Sequence, residues 1–253
     1  MLQASVVIIA KNEAQVIGKT LASLNGLTDD IIVCDTGSSD DTVAVIRSAG
    51  ARAESLAWMG FGKTKNRALD FARYDWVLFI DADEPIDSQL KQSLLHADLS
   101  DPQVVYRIRF KNYYGDRQIR FGEWASECKI KLFNKHFTKW DDAEVHETIQ
   151  RPAGAIEKVL DGHILHALVG DLHEYAQKLS RYAELVAQKY YRSGKSAGFF
   201  KLYCYPSLWF LFNYIIRLGF LDGRLGFITS FMSSYYVFLK YHRLKEFWVT
   251  GAK

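Results

Sequence analysis

Three polar clusters, each directly behind a short apolar run, hold the side chains that could do chemistry. Asp81-Ala82-Asp83 follows Trp76–Ile80. Two carboxylates set two apart in an extended turn can divide a task. One ligates a divalent cation, and the other meets a sugar hydroxyl or a metal-bound water. Hard oxygen donors of this kind suit Mg2+ or Mn2+ where phosphates complete the shell. The segment from Asp35 to Thr42, Asp-Thr-Gly-Ser-Ser-Asp-Asp-Thr, follows Ile31–Cys34. A carboxylate at that strand end can accept from a base imide N–H, Gly37 permits a tight turn, and Ser38, Ser39 and Asp40 can cap a helix. Those uses do not exclude one another. Asn12-Glu13, behind Ser5–Ala10, serves as a helix start or as a nucleotide contact. Lys63-Thr64-Lys65-Asn66-Arg67 is expected at the start of a helix, where positive charge and free N–H groups would meet a diphosphate. A solvated helix face is the competing reading.

These clusters need elements to present them. Ser5–Ala10, Ile31–Cys34 and Trp76–Ile80 are short and apolar, as strands buried on both faces are, and Ala51–Leu56 is a further strand candidate. Ala14–Leu24, a segment running from the Ser/Asp cluster to Gly50, and Lys63–Phe71 are the expected helices between them. Strand and helix in alternation predict a parallel sheet with right-handed crossovers, and ligands bind beyond the carboxyl ends of such strands. The clusters after Ala10, Cys34 and Ile80 share that edge. Beyond residue 100 the pattern changes: Val104–Lys111 alternates, Tyr113–Asp116 predicts a turn, and Ile119–Phe121, Lys129–Phe133 and Ile156–Leu168 predict further strands, some antiparallel. Leu172–Tyr191 predicts an amphipathic helix. The expected division is 1–170 for the α/β domain and 171–253 for a helical region.

The chain has 253 residues, 49% hydrophobic, with 32 basic and 29 acidic side chains. That composition excludes a disordered chain. Three widely spaced cysteines exclude a disulfide scaffold, so Cys34 is expected as a buried free thiol in a reducing compartment. Met1–Ala4 lacks the basic start of a signal peptide. The net +3 conceals an asymmetry: from Asp171 onward twelve Lys/Arg face five Asp/Glu, a net +7, which leaves −4 for the first 170 residues. Seventeen of the 36 aromatic side chains lie between Phe199 and Trp248.

Ile9-Ala10-Lys11-Asn12-Glu13, the Asp35–Thr42 cluster, Lys65-Asn66-x-Ala68 and Phe79-Ile80-Asp81-Ala82-Asp83-Glu84 together resemble the family-two glycosyltransferases. That resemblance implies the GT-A fold, an α/β mixed sheet with flanking helices, and inversion at the anomeric carbon of a nucleotide sugar. Val145-His146-Glu147, Ile164-Leu165-His166 and the run Arg217–Phe227 resemble the bacterial lipopolysaccharide core β-1,4-glucosyltransferases. By this resemblance Asp35 reads the uracil of UDP, Lys65 lies near the diphosphate, and Asp81 faces the ribose or sugar. Asn12, Glu13 and Asn66 join the nucleotide-sugar site. Asp83 ligates the metal, Mg2+ or Mn2+, and His166 touches the metal or diphosphate; a structural role is the alternative for His166. The family's Glu-Asp pair is absent in its usual form, and Glu147 stands as the base, with Glu144, Asp141 and Asp142 as alternatives. Direct displacement follows, with a base contributing ~10²–10⁴-fold and no covalent intermediate.

Leu202–Ile216 and Leu225–Leu239 are uncharged runs of fifteen, short of the roughly 20 residues that span a bilayer. They form either a helical pair packed on the core or a hairpin in the interface of an anionic leaflet. Reaching a lipid-linked saccharide acceptor favours the second, and with it a peripheral position at the cytoplasmic face of the inner membrane. A nucleic-acid partner is not expected, because no binding motif accompanies the basic tail. Two other classes compete. A sugar nucleotidyltransferase would carry a Gly-rich basic loop where Lys11-Asn12-Glu13 stands. A non-catalytic nucleotide-sugar-binding protein would have lost a carboxylate that Asp81 and Asp83 retain.

Overall fold

Ser5–Ala10 forms β1, and five of its six residues are buried, which explains an apolar run with no polar alternation. The computed structural model describes residues 1–125, 127–141, 148–169 and 172–251. The order continues through α1 (Ile17–Ser23), β2 (Ile31–Asp35), α2 (Thr42–Ser48), β3 (Arg52–Ser55), α3 (Phe61–Ala68), β4 (Trp76–Phe79) and α4 (Ser88–Leu95). Then come β5 (Val104–Tyr114), β6 (Arg117–Gln118), β7 (Cys128–Asn134), β8 (Ile156–Val169), α5 (Leu172–Arg192), α6 (Tyr205–Leu211) and α7 (Arg224–Thr250). The chain divides into one unit of Met1–Phe110 and Cys128–His166, and another of Lys111–Glu127 and Ala167–Lys253.

In the first unit the strands lie in the order β3-β2-β1-β4-β7-β5, with β8 also paired to β5. The first four are parallel, and β1 holds their register: Val6 lies opposite Ile31 of β2 and Leu78 of β4, and Val7 opposite Ile32 and Phe79. β7 joins β4 antiparallel, Val77 opposite Phe133. Alternate side chains enter opposite layers, as the pleat requires. Ile8, Val33 and Leu78 pack on one side with Ile17, Ile46 and Leu90. Val7, Ile32, Cys34 and Phe79 pack on the other with Phe133 and Trp140.

The second unit pairs α5 with α7, where Ala187, Leu244 and Phe247 are buried together. Arg243 of α7 reaches both Glu184 and Glu246. The wider-wound turns Phe200–Cys204 and Phe212–Ile216 flank α6. Gly226 sits where an added Cβ would lie 1.7 Å from the Gly219 carbonyl oxygen, so only glycine permits the tight entry into α7. No described helix is long and apolar enough to cross a membrane.

Four features differ from the sequence reading. α4 is a helix that the reading does not include. α3 begins at Phe61, which moves Lys65 from the helix start to its second turn and away from the free N–H groups. β5 runs through Tyr114, so the reversal is confined to Gly115 and Asp116. Ile119–Phe121 is not a strand. The N–H groups of Arg120 and Phe121 both donate to the Asp222 carboxylate at 2.9 Å, which replaces a strand partner.

Candidate active site

The ends of β1, β2 and β4 share one sheet edge, and the loops behind the first two are laced to each other. Asn12 holds a left-handed backbone, φ 57°. Its Oδ1 accepts from the Ser39 N–H at 2.8 Å, and its own N–H donates to Ser38 Oγ at 2.8 Å. The Glu13 N–H donates to Thr42 Oγ1 at 2.8 Å. Asp35 accepts from the N–H groups of Gly37 and Ser38 and from the Ser38 hydroxyl. The turn thus fixes the direction of the Asp35 carboxylate. Asp40 is held below the usual carboxylate range, first by the Thr42 hydroxyl, against an opposing effect of desolvation.

Beyond β4 the charges are handled differently. Lys131 of β7 is buried, and its Nζ lies 2.5 Å from Glu84 and 3.6 Å from Asp81. Glu84 in turn accepts from the Asp81 N–H at 2.9 Å. Desolvation works to raise Asp81, whose side chain is half-buried, but Lys131 and Lys65 outweigh it and hold its carboxyl well below the usual range. Burial and the Asp81 charge push Glu84 upward, against the pull of Lys131.

Asp83 and His166 come together, the His166 Nε2 lying 3.5 Å from Asp83 Oδ2. The pairing is built by the backbone. The Leu165 N–H donates to the Pro85 carbonyl at 2.8 Å, and the Asp87 N–H to the His163 carbonyl at 3.0 Å. Gly162 makes this approach possible: it has φ +94°, and a Cβ there would lie 2.0 Å from the Leu90 nitrogen. A carboxylate and an imidazole at this separation suit a divalent cation that takes its other donors from a phosphate group. Among the described residues no cluster of three or more His, Cys, Asp or Glu forms a complete protein cage.

A cavity of about 610 Å³ opens beside Asp81, lined by Lys65, Arg107, Lys129, Lys131 and Arg151 together with Phe79 and Trp140. Arg107 and Arg151 share Glu157, and Lys131 pairs with Glu84, yet the lining still holds more cations than carboxylates and suits an anionic ligand. Lys65 Nζ stands 5.4 Å from the Phe79 ring centroid and 5.7 Å from that of Trp140. Asn66 does not open to this cavity as a free amide: its Oδ1 accepts from the Trp140 N–H and its Nδ2 donates to the Trp140 carbonyl. It acts here by positioning Trp140. Asp141 also has local partners, accepting from the N–H and hydroxyl of Thr148 at 3.1 and 3.0 Å. Asp142, Glu144 and Glu147 lie outside the described residues.

Sequence reasoning missed Lys131, Glu84, Lys129, Arg107, Arg151 and Trp140. Only Lys129 and Lys131 carried a signal, two cations at period two within an otherwise apolar strand.

Residues 5–164 match the family model described as Glycosyl transferase family 2. An uncharacterized glycosyltransferase of Rickettsia typhi is 30% identical over 97% of this chain and 88% of its own length. The lipopolysaccharide core biosynthesis glycosyltransferase LpsC of Rhizobium meliloti is 29% identical over 94% of this chain and 90% of its own. Among solved structures, mannosyl-3-phosphoglycerate synthase from Rubrobacter xylanophilus superposes with a TM-score of 0.50 at 19% identity, covering 78% of this chain and 77% of that one. That likeness concerns the fold, which is GT-A. With the family model spanning most of the chain and the sheet edge carrying its clusters, the chain belongs to glycosyltransferase family 2.

Proposed function

We propose that the protein transfers a sugar, glucose by its sequence resemblance, from a UDP-sugar to a hydroxyl of a lipid-linked glycan such as the lipopolysaccharide inner core, with inversion. The observation that carries this reading is the Asp83–His166 pair on the edge that also bears Asp35, Asp81 and the cationic cavity. The likeness to LpsC over nearly the whole chain supports the class of acceptor.

Asp35, oriented by Ser38, accepts from the uracil imide. Asp81 faces the ribose or sugar, its charge maintained by Lys131 and Lys65. Lys65 and Lys129 meet the negative charge that grows on the departing UDP, an electrostatic role strongest in a site of limited solvent. Asp83 and His166 would hold Mg2+ or Mn2+, which when bound supplies Lewis-acid stabilisation of the diphosphate. Glu147 removes the proton of the attacking hydroxyl as the bond to the anomeric carbon forms on the face opposite UDP.

Release of UDP from UDP-sugars, measured with added Mg2+ or Mn2+ and extracted lipopolysaccharide core, tests the reading. Asp83→Ala is expected to abolish transfer in a protein that melts as the parent does; near-full metal-dependent turnover would sink the assignment. Glu147→Gln is expected to lower turnover by ~10²-fold or more while sparing UDP affinity. Unchanged turnover would assign the base elsewhere.

A further inference from the structure

The second unit carries a helical stretch that is apolar on both sides. Across Phe199–Leu221, Leu202, Pro206 and Asn213 are buried, as a packed stripe should be. Yet the opposite side is apolar too: Leu208, Leu211 and Ile215 are exposed, Ile216 is 68% exposed and Phe199 73%. A surface helix of a soluble protein turns polar residues outward; one that is hydrophobic all round sits in a core or in lipid. Leu208, Leu211, Ile215 and Ile216 border a groove of about 530 Å³ that also takes in Phe200, Trp209 and Phe212. Phe227 and Phe231 of α7 extend the surface, Phe227 lying edge-on to Phe210 at 5.6 Å and stacked on Phe231 at 6.3 Å.

Along the chain, the charges flanking this stretch are almost all of one sign; Glu123, from the earlier part of the unit, accepts from the Ser233 hydroxyl. From residue 185 to 221 there is no Asp or Glu, while Lys189, Arg192, Lys195, Lys201 and Arg217 fall within it. From 223 to 245 there is again none, with Arg224, Lys240, Arg243 and Lys245. Asp222, between the two runs, is occupied by the N–H groups of Arg120 and Phe121, and Arg243 by Glu184 and Glu246. With Lys189 and Arg192 set aside, and Lys240 packed on Tyr190, Tyr236 and Tyr241, the cations Lys195, Lys201, Arg217, Arg224 and Lys245 still outnumber the acidic side chains of these two runs. Aromatic and aliphatic side chains flanked by cations match a surface with an apolar interior and anionic headgroups.

We infer that this face docks on an anionic lipid bilayer. Its apolar side chains enter the boundary between headgroups and acyl chains, and its lysines and arginines meet lipid phosphates. A second copy of the chain is a poorer occupant, because a two-fold contact sets each cationic flank against like charge. The inference stands on the second unit alone and does not depend on the sugar-transfer reading.

Sedimentation of the full chain with vesicles of phosphatidylcholine, or of phosphatidylcholine with phosphatidylglycerol, tests it. Binding to the anionic vesicles is expected to be roughly tenfold tighter or more, and to weaken with salt. The triple variant Leu208→Ser, Ile215→Ser, Ile216→Ser should lose binding to both while keeping its melting temperature and UDP release with a water-soluble acceptor. Lys201→Glu, on an exposed position, should weaken only the anionic preference, and serves if the triple variant does not fold. A chain that leaves both vesicle types unbound overturns the inference. So does a triple variant that binds like the parent, or a parent dimer, seen by sedimentation equilibrium, that the triple variant dissolves.

Discussion

Asp35 and Asp81 stand on one sheet edge, yet their charges are supported by opposite means. Asp35 is held by neutral donors inside its own turn, two N–H groups and the Ser38 hydroxyl. Asp81 faces lysines that arrive from α3 and β7. Neutral donors fix direction and adjust little to a ligand's charge. Lysines fix charge, and their field extends across the cavity. Under the proposed UDP-sugar reading, recognising a base and neutralising a departing diphosphate would draw on both kinds of support.

The largest way to break this contrast is Lys131→Met. It leaves Glu84 and Asp81 without their buried partner, and removal of one member of such a set costs ~3–5 kcal/mol. Urea unfolding measures it; a loss below about 1 kcal/mol would mean that the cation is dispensable to the fold. Ser38→Ala, on the neutral side, is expected to cost only ~0.5–1.5 kcal/mol. Its signature is local, with faster hydrogen exchange at Gly37 and Ser38. Thr42→Val, which also removes the acceptor of the Glu13 N–H, gives the smallest shift in the titration of the edge and the sharpest sign. The depressed Asp40 carboxyl contributes stability above its ordinary value of 3.8, and that contribution fades as pH falls through the lower folded value. In the variant, carboxyl NMR should find Asp40 titrating nearer 3.8, with the acid-side loss correspondingly reduced.

The edge was legible in the sequence because its strands are buried on both faces. Ser5–Ala10 and Trp76–Ile80 could be neither surface helices, for want of a polar face, nor exposed strands, for want of alternation. Asp35, Asp81 and Asp83 follow such strands directly, so their location came with the strand assignment. Lys131 was hidden because its role depends on β7 pairing antiparallel with β4, a choice made by residues far apart in the chain. Asn66 looked like a ligand contact, since nothing local indicates that Trp140 completes its amide. Ile119–Phe121 has strand composition, and only a carboxylate 101 residues away along the chain from Phe121 takes its N–H.

Gly162 gives the Asp83–His166 pair an unusual kind of dependence. It lies on the same strand as His166 and four residues before it, about 13 Å away at the usual rise per residue. β8 therefore behaves as an arm pivoting on the amino end of α4. Any side chain at position 162 would lift the pivot, and the arm would carry that displacement to the imidazole at its far end. The separation of the Asp83 and His166 side chains is thus set in part at a point that touches neither of them.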